Sequence, residues 1–340
     1  PGLGASHTLH VLYSPEHGIR GTHEAGAEVA SERGAVPVIS LYGKRTRPTA
    51  AELSEIGYFL IDLQDIGSRY YTYMATMREC LSACAQAKKP VLILDRPNPL
   101  GGAVLEGPIA ERTGSPVCCA PIPVRHGMTM GELAVFFLRE EFSKQKLNVF
   151  VHPLDSWRRD LLFHECAYPW VPPSPNIPTP LTALLYAGTC LFEGTNLNEG
   201  RGTETPFHVI GAPWLDAEGV IGRLQPGETP GCTVSACRYT PRAIPGKASN
   251  PRYRDEECQG IRIHVHKPSE VRAFTVAVAL LRAIRNRHPR QFEWGPTFDI
   301  LAGGDALRTW LERDEPPADI AARVAPQLDA FAAARPRRYE

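Results

Sequence analysis

The sequence turns from apolar to polar at residues 14–21, which read Ser14-Pro15-Glu16-His17-Gly18-Ile19-Arg20-Gly21. Apolar residues alternate just before this segment, at positions 9, 11 and 13, and that pattern predicts a short buried strand. A carboxylate, an imidazole and a guanidinium therefore follow the end of a strand. Ligands bind beyond the carboxyl ends of the strands in open α/β sheets, so the segment is a candidate site. Taken alone, a solvated glycine-rich turn explains it equally well.

Two further predicted strands, at residues 58–62 and 90–95, also end in charged residues. If the three strands run parallel, their carboxyl ends meet at one edge of the sheet. The polar side chains that this arrangement would bring together are Glu16, Asp62, Gln64, Asp65, Arg69, Asp95, Arg96 and Asn98. His126 precedes a predicted helix, where an anion would be stabilised, although a hydrogen bond within the helix cap explains it equally well.

Strands and helices alternate through the first half of the chain. Strands are predicted at 36–42, 58–62, 90–95 and 149–151, and helices at 49–56, 76–87 and 129–142. Thr129 and Glu132 match a capping box, and Glu52 lies near the start of the first helix. This alternation predicts an α/β fold with a mostly parallel sheet that carries helices on both faces.

A proline-rich segment marks a change in the chain near residue 170. Residues 169–180 contain six prolines, so they form neither a helix nor a central strand, and we place a domain boundary there. The second half is predicted to contain strands at 232–239 and 260–265 and helices at 181–192, 271–287 and 317–335.

The second half also contains a polar, glycine-punctuated loop at residues 193–207, which includes Asn196, Glu199 and Arg201. Its glycines would let the backbone approach a ligand closely. Long loops in compact domains are usually functional, although an ordinary surface loop is the alternative.

The composition excludes several classes of protein. Lys plus Arg and Asp plus Glu balance at 37 each, so no basic surplus indicates nucleic acid. No apolar run reaches the ~18–20 residues of a membrane span. The nine cysteines show no CxxC pair or zinc spacing, so we expect no metal and interpret them as buried thiols, which favours a reducing compartment. No glycine fingerprint follows a strand, so we expect no nucleotide cofactor.

Six blocks of the sequence carry a family resemblance. They are residues 15–21, 62–73, 94–99, 125–129, 173–176 and 193–207. In this order they resemble the signature blocks of the NamZ-type exo-β-N-acetylmuramidases, bacterial glycoside hydrolases of peptidoglycan. The resemblance implies a Rossmann-like catalytic domain at residues 1–170 and a smaller α+β domain at 171–340 that closes the active-site cleft. It also implies release of N-acetylmuramic acid (MurNAc) from the non-reducing end of peptide-free fragments such as MurNAc-GlcNAc, a small carbohydrate substrate.

Two features depart from the family pattern. The chain begins about where the first strand–helix unit of the family would end, so that unit either precedes the given sequence or is absent from this member. Asn198 stands where members often carry serine.

The resemblance places the presumed catalytic glutamate on Glu16. Glycoside cleavage needs a general acid and a second group at the anomeric centre. Glu16 is our acid, and Asp65 and Glu199 are the carboxylates carried forward for the second role, with Asp62, Asp95 and Glu204 left open. The substrate's own 2-acetamido group could serve instead.

The remaining polar residues of these blocks are candidates for substrate binding. They are His17, Arg20, Asp62, Gln64, Arg69, Tyr73, Asp95, Arg96, Asn98, His126, Asn176, Asn196 and Arg201. Arg69 and Arg201 are the first choices for the lactyl carboxylate of muramic acid, because a planar guanidinium grips a carboxylate through two hydrogen bonds.

Two other functions fit the same residues less well. One is a non-catalytic sugar- or muropeptide-binding protein, and the other is a nicotinamide-dependent oxidoreductase, which the missing glycine fingerprint disfavours. The resemblance favours a periplasmic or secreted protein, while the cysteine count favours the cytoplasm. Nothing in the sequence indicates the oligomeric state or the stereochemical outcome.

Overall fold

The first half of the chain forms parallel strands, as predicted. The computed structural model describes residues 8–32 and 34–339, so the expectation about the family's first strand–helix unit lies outside the described residues. Strands β1 (Leu12–Ser14) and β2 (Val38–Ser40) pair in parallel. Strands β3 (Phe59–Ile61), β4 (Val91–Leu94) and β5 (Val149–His152) form a second parallel sheet in that order. The predicted α/β class is confirmed.

Three helices connect these strands: α1 (Ala50–Ser54), α2 (Tyr73–Ala87) and α3 (Met130–Glu140). The capping box predicted for α3 is present, because Thr129 accepts from the backbone of Glu132 and the Glu132 side chain accepts in return. Helix α1 begins with the same motif. Helix α2 starts three residues earlier than its apolar periodicity predicted.

The second half combines helices with an antiparallel sheet. Strands β6 (Val209–Ala212), β7 (Cys232–Tyr239) and β8 (Cys258–Val265) pair in the order β6-β8-β7. The helices are α4 (Pro180–Thr189), α5 (Ala217–Ile221), α6 (Ala273–Arg287), α7 (Phe298–Ala302), α8 (Ala306–Glu312) and α9 (Pro317–Ala334). Short 3-10 helices lie at Phe163–Glu165, Cys190–Gly194 and Pro268–Glu270. The sequence does not predict β6, α5, α7 or α8, because elements of four to seven residues are too short to show a hydrophobic periodicity.

Two hydrophobic cores lie under these elements. The first packs α2 and α3 on the β3–β5 sheet and also contains Phe331 of α9. The second packs α4 and α6 on the antiparallel sheet and also contains Tyr70, Tyr71 and Tyr73 from the first half. Each core therefore uses residues from the opposite side of residue 170, and the domain boundary stays a prediction. No helix in the described part of the chain is long and apolar enough to cross a membrane.

Helices α4 and α6 meet at a glycine. A Cβ atom on Gly188 would lie 1.9 Å from the carbonyl oxygen of Ala273, closer than any side chain permits. The missing side chain lets the two backbones touch, and this contact sets the position of the 193–207 loop that follows α4.

Candidate active site

Glu16 is buried just beyond the end of β1, with a relative exposure of 6%. Its Oε1 accepts a hydrogen bond from the backbone N–H of Gly26 at 2.9 Å, and its Oε2 accepts one from the Thr72 hydroxyl at 2.6 Å. The Tyr42 hydroxyl also bonds to this carboxylate, and burial together with Glu16 raises the pKa of Tyr42 to about 12. The Glu16 carboxylate is therefore fixed from three sides.

An aromatic wall stands beside Glu16. The His17 ring stacks on Tyr71 with 6.0 Å between ring centres, and Tyr71 lies 4.7 Å from Tyr73. The Tyr73 hydroxyl donates to the carbonyl of Pro173 at 2.8 Å, which ties the wall to the proline-rich segment. Burial raises the pKa of both tyrosines, so their hydroxyls stay protonated.

His17 occupies the left-handed backbone region, with φ of 71°. Its Nδ1 lies 2.8 Å from the carbonyl oxygen of His23, so the proton of the neutral ring sits on Nδ1 and Nε2 is an acceptor. Burial lowers the pKa of His17, against the opposing effect of Glu16, and the positive charge of Arg201 adds to the lowering. His17 is therefore an uncharged hydrogen-bonding group at neutral pH.

Arg201 brings charge from the 193–207 loop to this region. Its Nη1 lies 2.9 Å from Glu193 and 2.8 Å from Glu199, and its guanidinium stands over the Phe207 ring at 4.9 Å. Burial alone would lower the pKa of Arg201, but the two carboxylates raise it above its ordinary value. Both carboxylates contact Nη1, and about a fifth of the Arg201 side chain remains exposed. The positive charge of Arg201 is one of the weaker causes that lower the pKa of His17, well behind burial.

Three asparagines hold the backbone around this loop. Asn176 donates to the carbonyl of Lys247 at 2.7 Å. Asn196 donates to the carbonyl of Gln291 and accepts from the N–H of Glu293. Asn198 accepts from the N–H of Gly200 at 2.8 Å and donates to the carbonyl of Arg201, so it shapes the turn that presents the arginine. The side chains of Asn176 and Asn196 thus serve the backbone rather than pointing freely into a pocket.

Asp95 and Asn98, both predicted to contact substrate, form several hydrogen bonds within the protein. Asp95 accepts from the Thr129 hydroxyl, the Gly131 N–H and the Tyr339 hydroxyl at the start of α3. Asn98 donates to the carbonyl of Met128 and accepts from the N–H of Leu100. Both side chains are buried in these bonds.

Asp65 and His126 form a second buried pair. Asp65 Oδ2 accepts from the Gly67 N–H at 2.7 Å and lies 3.3 Å from His126 Nε2. His126 Nδ1 accepts from the Met128 N–H at 3.2 Å, so Nε2 carries the ring proton and faces the carboxylate. Both side chains are buried, and the pairing of Asp65 Oδ2 with the Gly67 N–H and with His126 gives this carboxylate a structural role, so Asp65 as the second catalytic carboxylate stays a prediction.

Arg69, one of our two first choices for the lactyl carboxylate, lies among backbone carbonyls. Its Nη1 donates to the carbonyls of Pro108 and Ile122, its Nη2 donates to Leu301, and its exposure is 0%. The guanidinium is consumed by three carbonyls from both halves of the chain, so no carboxylate of a ligand can reach it. Burial lowers its pKa.

The other strand-end residues lie near the surface. Asp62 and Arg96 form an ion pair at 2.6 Å with about two fifths of each side chain exposed. Gln64 donates to the carbonyls of Asp65 and Pro97. Arg20 is exposed on the loop that follows Glu16.

Several site residues escaped the sequence reading. Thr72 lies inside the polar segment 62–73, but its hydroxyl carried no signal of its own. Tyr42 is the last residue of the predicted strand 36–42. Because ligands bind beyond the carboxyl ends of strands in α/β sheets, its position could have identified it. Glu193 is the first residue of the 193–207 loop, and nothing in the sequence favours it over Glu199. Among residues 8–32 and 34–339, no group of three or more His, Cys, Asp or Glu side chains is placed to hold a metal ion.

The fold and the site define an α/β protein with a buried glutamate beyond its first parallel strand, faced by tyrosines and by an arginine loop from the second half. This combination is typical of an enzyme that acts on a polar small molecule. Residues 3–181 match the family model for the N-terminal part of the exo-β-N-acetylmuramidase NamZ, and residues 184–339 match the model for its C-terminal part. The chain belongs to the NamZ exo-β-N-acetylmuramidase family, which confirms the resemblance seen in the sequence.

Known proteins match along nearly the whole chain. The peptidoglycan β-N-acetylmuramidase NamZ of Bacillus subtilis (strain 168) is 38% identical over 333 residues, which cover 96% of this chain and 78% of that protein. A crystal structure of a DUF1343 family protein from Bacteroides fragilis has a TM-score of 0.85 at 27% identity, with 98% of this chain and 86% of that chain covered. A second DUF1343 protein from the same organism has a TM-score of 0.75 at 32% identity, with 96% and 84% covered.

Proposed function

We propose that this protein is an exo-acting β-N-acetylmuramidase that releases N-acetylmuramic acid from the non-reducing end of peptide-free peptidoglycan fragments such as MurNAc-GlcNAc. The observation that carries the proposal is the buried, three-sided hold on Glu16 in a chain of the NamZ family. The Bacillus subtilis relative, a peptidoglycan β-N-acetylmuramidase by name, supports it.

Glu16 acts as the general acid in this proposal. It protonates the glycosidic oxygen as the bond to the anomeric carbon breaks. The wall of His17, Tyr71 and Tyr73 packs against the sugar ring, and Arg201, whose side chain is partly exposed, meets the lactyl carboxylate. The second group is either Glu199 of the 193–207 loop or the substrate's 2-acetamido group.

We place the reaction outside the cytoplasm, in the periplasm or the medium, where peptidoglycan lies. The nine cysteines do not oppose this location. Seven of them are buried, and burial raises the pKa of thiols such as Cys80 and Cys190, which protects them from oxidation. We retain residues 1–170 and 171–340 as the two domains, with the site in the cleft between them.

The test is Glu16→Gln on two substrates, with Glu28→Gln as its matched control. Glu28 lies on the same loop, and its side chain is 72% exposed in an ion pair with Lys44. On MurNAc-GlcNAc we expect Glu16→Gln to lower kcat by ~10²–10⁴, the usual contribution of general acid catalysis, while the affinity for the disaccharide persists. On a nitrophenyl muraminide the loss should be smaller, because that leaving group needs less protonation.

Three results would contradict the proposal. Near wild-type turnover of the disaccharide by Glu16→Gln would remove Glu16 from the acid role. Equal losses on both substrates would give it a structural role. A wild-type protein that binds muropeptide sugars by calorimetry but releases no N-acetylmuramic acid, followed by NMR, would be a binding protein instead.

A further inference from the structure

Thr72 stands at a helix start but does not cap it. Threonine at an N-cap usually adopts an extended backbone and accepts a hydrogen bond from the first turn. Thr129 and Thr179 do this at α3 and α4. Thr72 instead has helical dihedrals, φ −73° and ψ −12°, and makes no side-chain cap bond. Its hydroxyl forms a 2.6 Å bond with Glu16, a residue 56 positions away in the sequence.

The two oxygens of Glu16 have different neighbours. Oε1 faces the Gly26 N–H, which can only donate, so this oxygen must accept. Oε2 faces the Thr72 hydroxyl, which can donate or accept. Of these two neighbours only the Thr72 hydroxyl can accept a proton, so we place the acidic proton of Glu16 on Oε2; the Tyr42 hydroxyl is a third partner of the carboxylate. The hydroxyl can accept from the protonated acid and donate to the ionised carboxylate once the proton has left.

We propose that Thr72 is the positioning residue of the general acid, an inference that rests on the proposed function. Before cleavage, Thr72 accepts a hydrogen bond from the Oε2–H of Glu16 and orients the carboxyl. The proton then moves from Oε2 to the glycosidic oxygen, and the electron pair of the breaking carbon–oxygen bond stays on that oxygen. The ionised carboxylate is now held by the Thr72 hydroxyl and the Gly26 N–H. The start of α2 adds the positive end of a 15-residue helix beside it.

The structure offers a clean test of this role with Thr72→Val. The substitution keeps the shape of the side chain and removes no cap bond, so α2 should form as before. Thr72→Ser retains the hydroxyl and is the rescue variant. Thr76→Val is the matched control, because its hydroxyl bonds only the backbone of its own helix, at the carbonyl of Thr72. Each variant is assayed for kcat, KM and the pH profile of kcat/KM on MurNAc-GlcNAc.

We expect Thr72→Val to lower kcat by roughly tenfold with little change in KM, as for the loss of one hydrogen bond to a charged group. The ionised form of Glu16 loses a donor, so the alkaline limb of the pH profile, where the acid loses its proton, should move up by about one pH unit. Thr72→Ser should restore most of the rate and the wild-type limb. Thr76→Val should match the wild type.

Two results would overturn the inference. A wild-type pH profile and rate in Thr72→Val would show that the hydroxyl has no part in holding the acid. A tenfold loss with an unmoved limb, or a loss that Thr72→Ser does not rescue, would show a merely structural effect. If Glu16→Gln abolishes hydrolysis while Thr72→Val is unaffected, the proposed function stands and only this inference fails. If Glu16→Gln is itself fully active, the proposed acid fails first.

Discussion

The carboxylate of Asp95 tests how the C-terminal segment is attached to the first half of the chain. It accepts hydrogen bonds at 2.7 Å from the Thr129 hydroxyl, 2.8 Å from the Gly131 N–H and 2.7 Å from the Tyr339 hydroxyl. Tyr339 lies 244 positions further along the chain and also accepts from the Leu154 N–H at 3.1 Å. Asp95 therefore holds the start of α3 and the C-terminal segment together.

The expected magnitude follows from these bonds. Tyr339→Phe removes one hydrogen bond to a buried carboxylate and leaves the Leu154 N–H without its acceptor, so we expect a loss of about 2–3 kcal/mol in the free energy of unfolding. Asp95→Asn turns an amide N–H₂ group toward donors and should cost about 3 kcal/mol or more. Because the two residues share one bond, the double variant should lose about 1–2 kcal/mol less than the sum of the single variants.

Urea unfolding of the four proteins measures this double-mutant cycle. Asp62→Asn is the control, since Asp62 also follows a strand but forms a half-exposed ion pair worth at most about 1 kcal/mol. If Asp95→Asn leaves the free energy of unfolding within ~0.5 kcal/mol of the wild type and raises KM instead, then Asp95 contacts the substrate. The structural assignment would be wrong in that case.

Two further predictions concern specificity and pH. Arg201→Lys should lower kcat/KM on a muraminide by roughly ten- to a hundredfold relative to the glucosaminide, whereas Arg69→Lys should leave that ratio unchanged and lower the melting temperature. An unchanged ratio in Arg201→Lys would remove Arg201 from lactyl recognition. Burial, aided by Arg262, lowers the pKa of His208 to about 4 from 6.5, so the folded protein binds this proton less readily than the unfolded chain. The free energy of unfolding should fall by up to roughly 3 kcal/mol as the pH drops from 6.5 to 4. Urea unfolding of His208→Gln at both pH values should not show this loss.

Local chemistry made part of this structure predictable. The capping boxes at Thr49 and Thr129 need only residues three apart, so they appear in the sequence as they do in the structure. The parallel strands were visible because four or five consecutive apolar residues separate polar loops. The burial of Glu16 beyond β1 agrees with the rule that carboxyl ends of strands form sites.

Long-range partners were not predictable in the same way. Arg69 and Asp95 are charged residues after or near a strand, and by composition they look like Glu16. Their partners decide the outcome: Leu301 is 232 positions from Arg69, and Tyr339 is 244 positions from Asp95. A sequence pattern cannot distinguish a charge that faces a cleft from one that holds distant segments together, since both need the same residue types.

The segment 70–73 shows why the site and the cores cannot be separated. Tyr70 is fully buried in the second core, where it packs edge-on against Tyr186 of α4 at 6.1 Å. Tyr71 forms the wall beside His17, and Thr72 holds Glu16 at the start of α2, a helix of the first core. Four consecutive residues thus connect Glu16 to both cores. Because packing in both cores positions this segment, we expect a change of Tyr186 in α4 that leaves every polar residue intact to shift Thr72 relative to Glu16 through Tyr70.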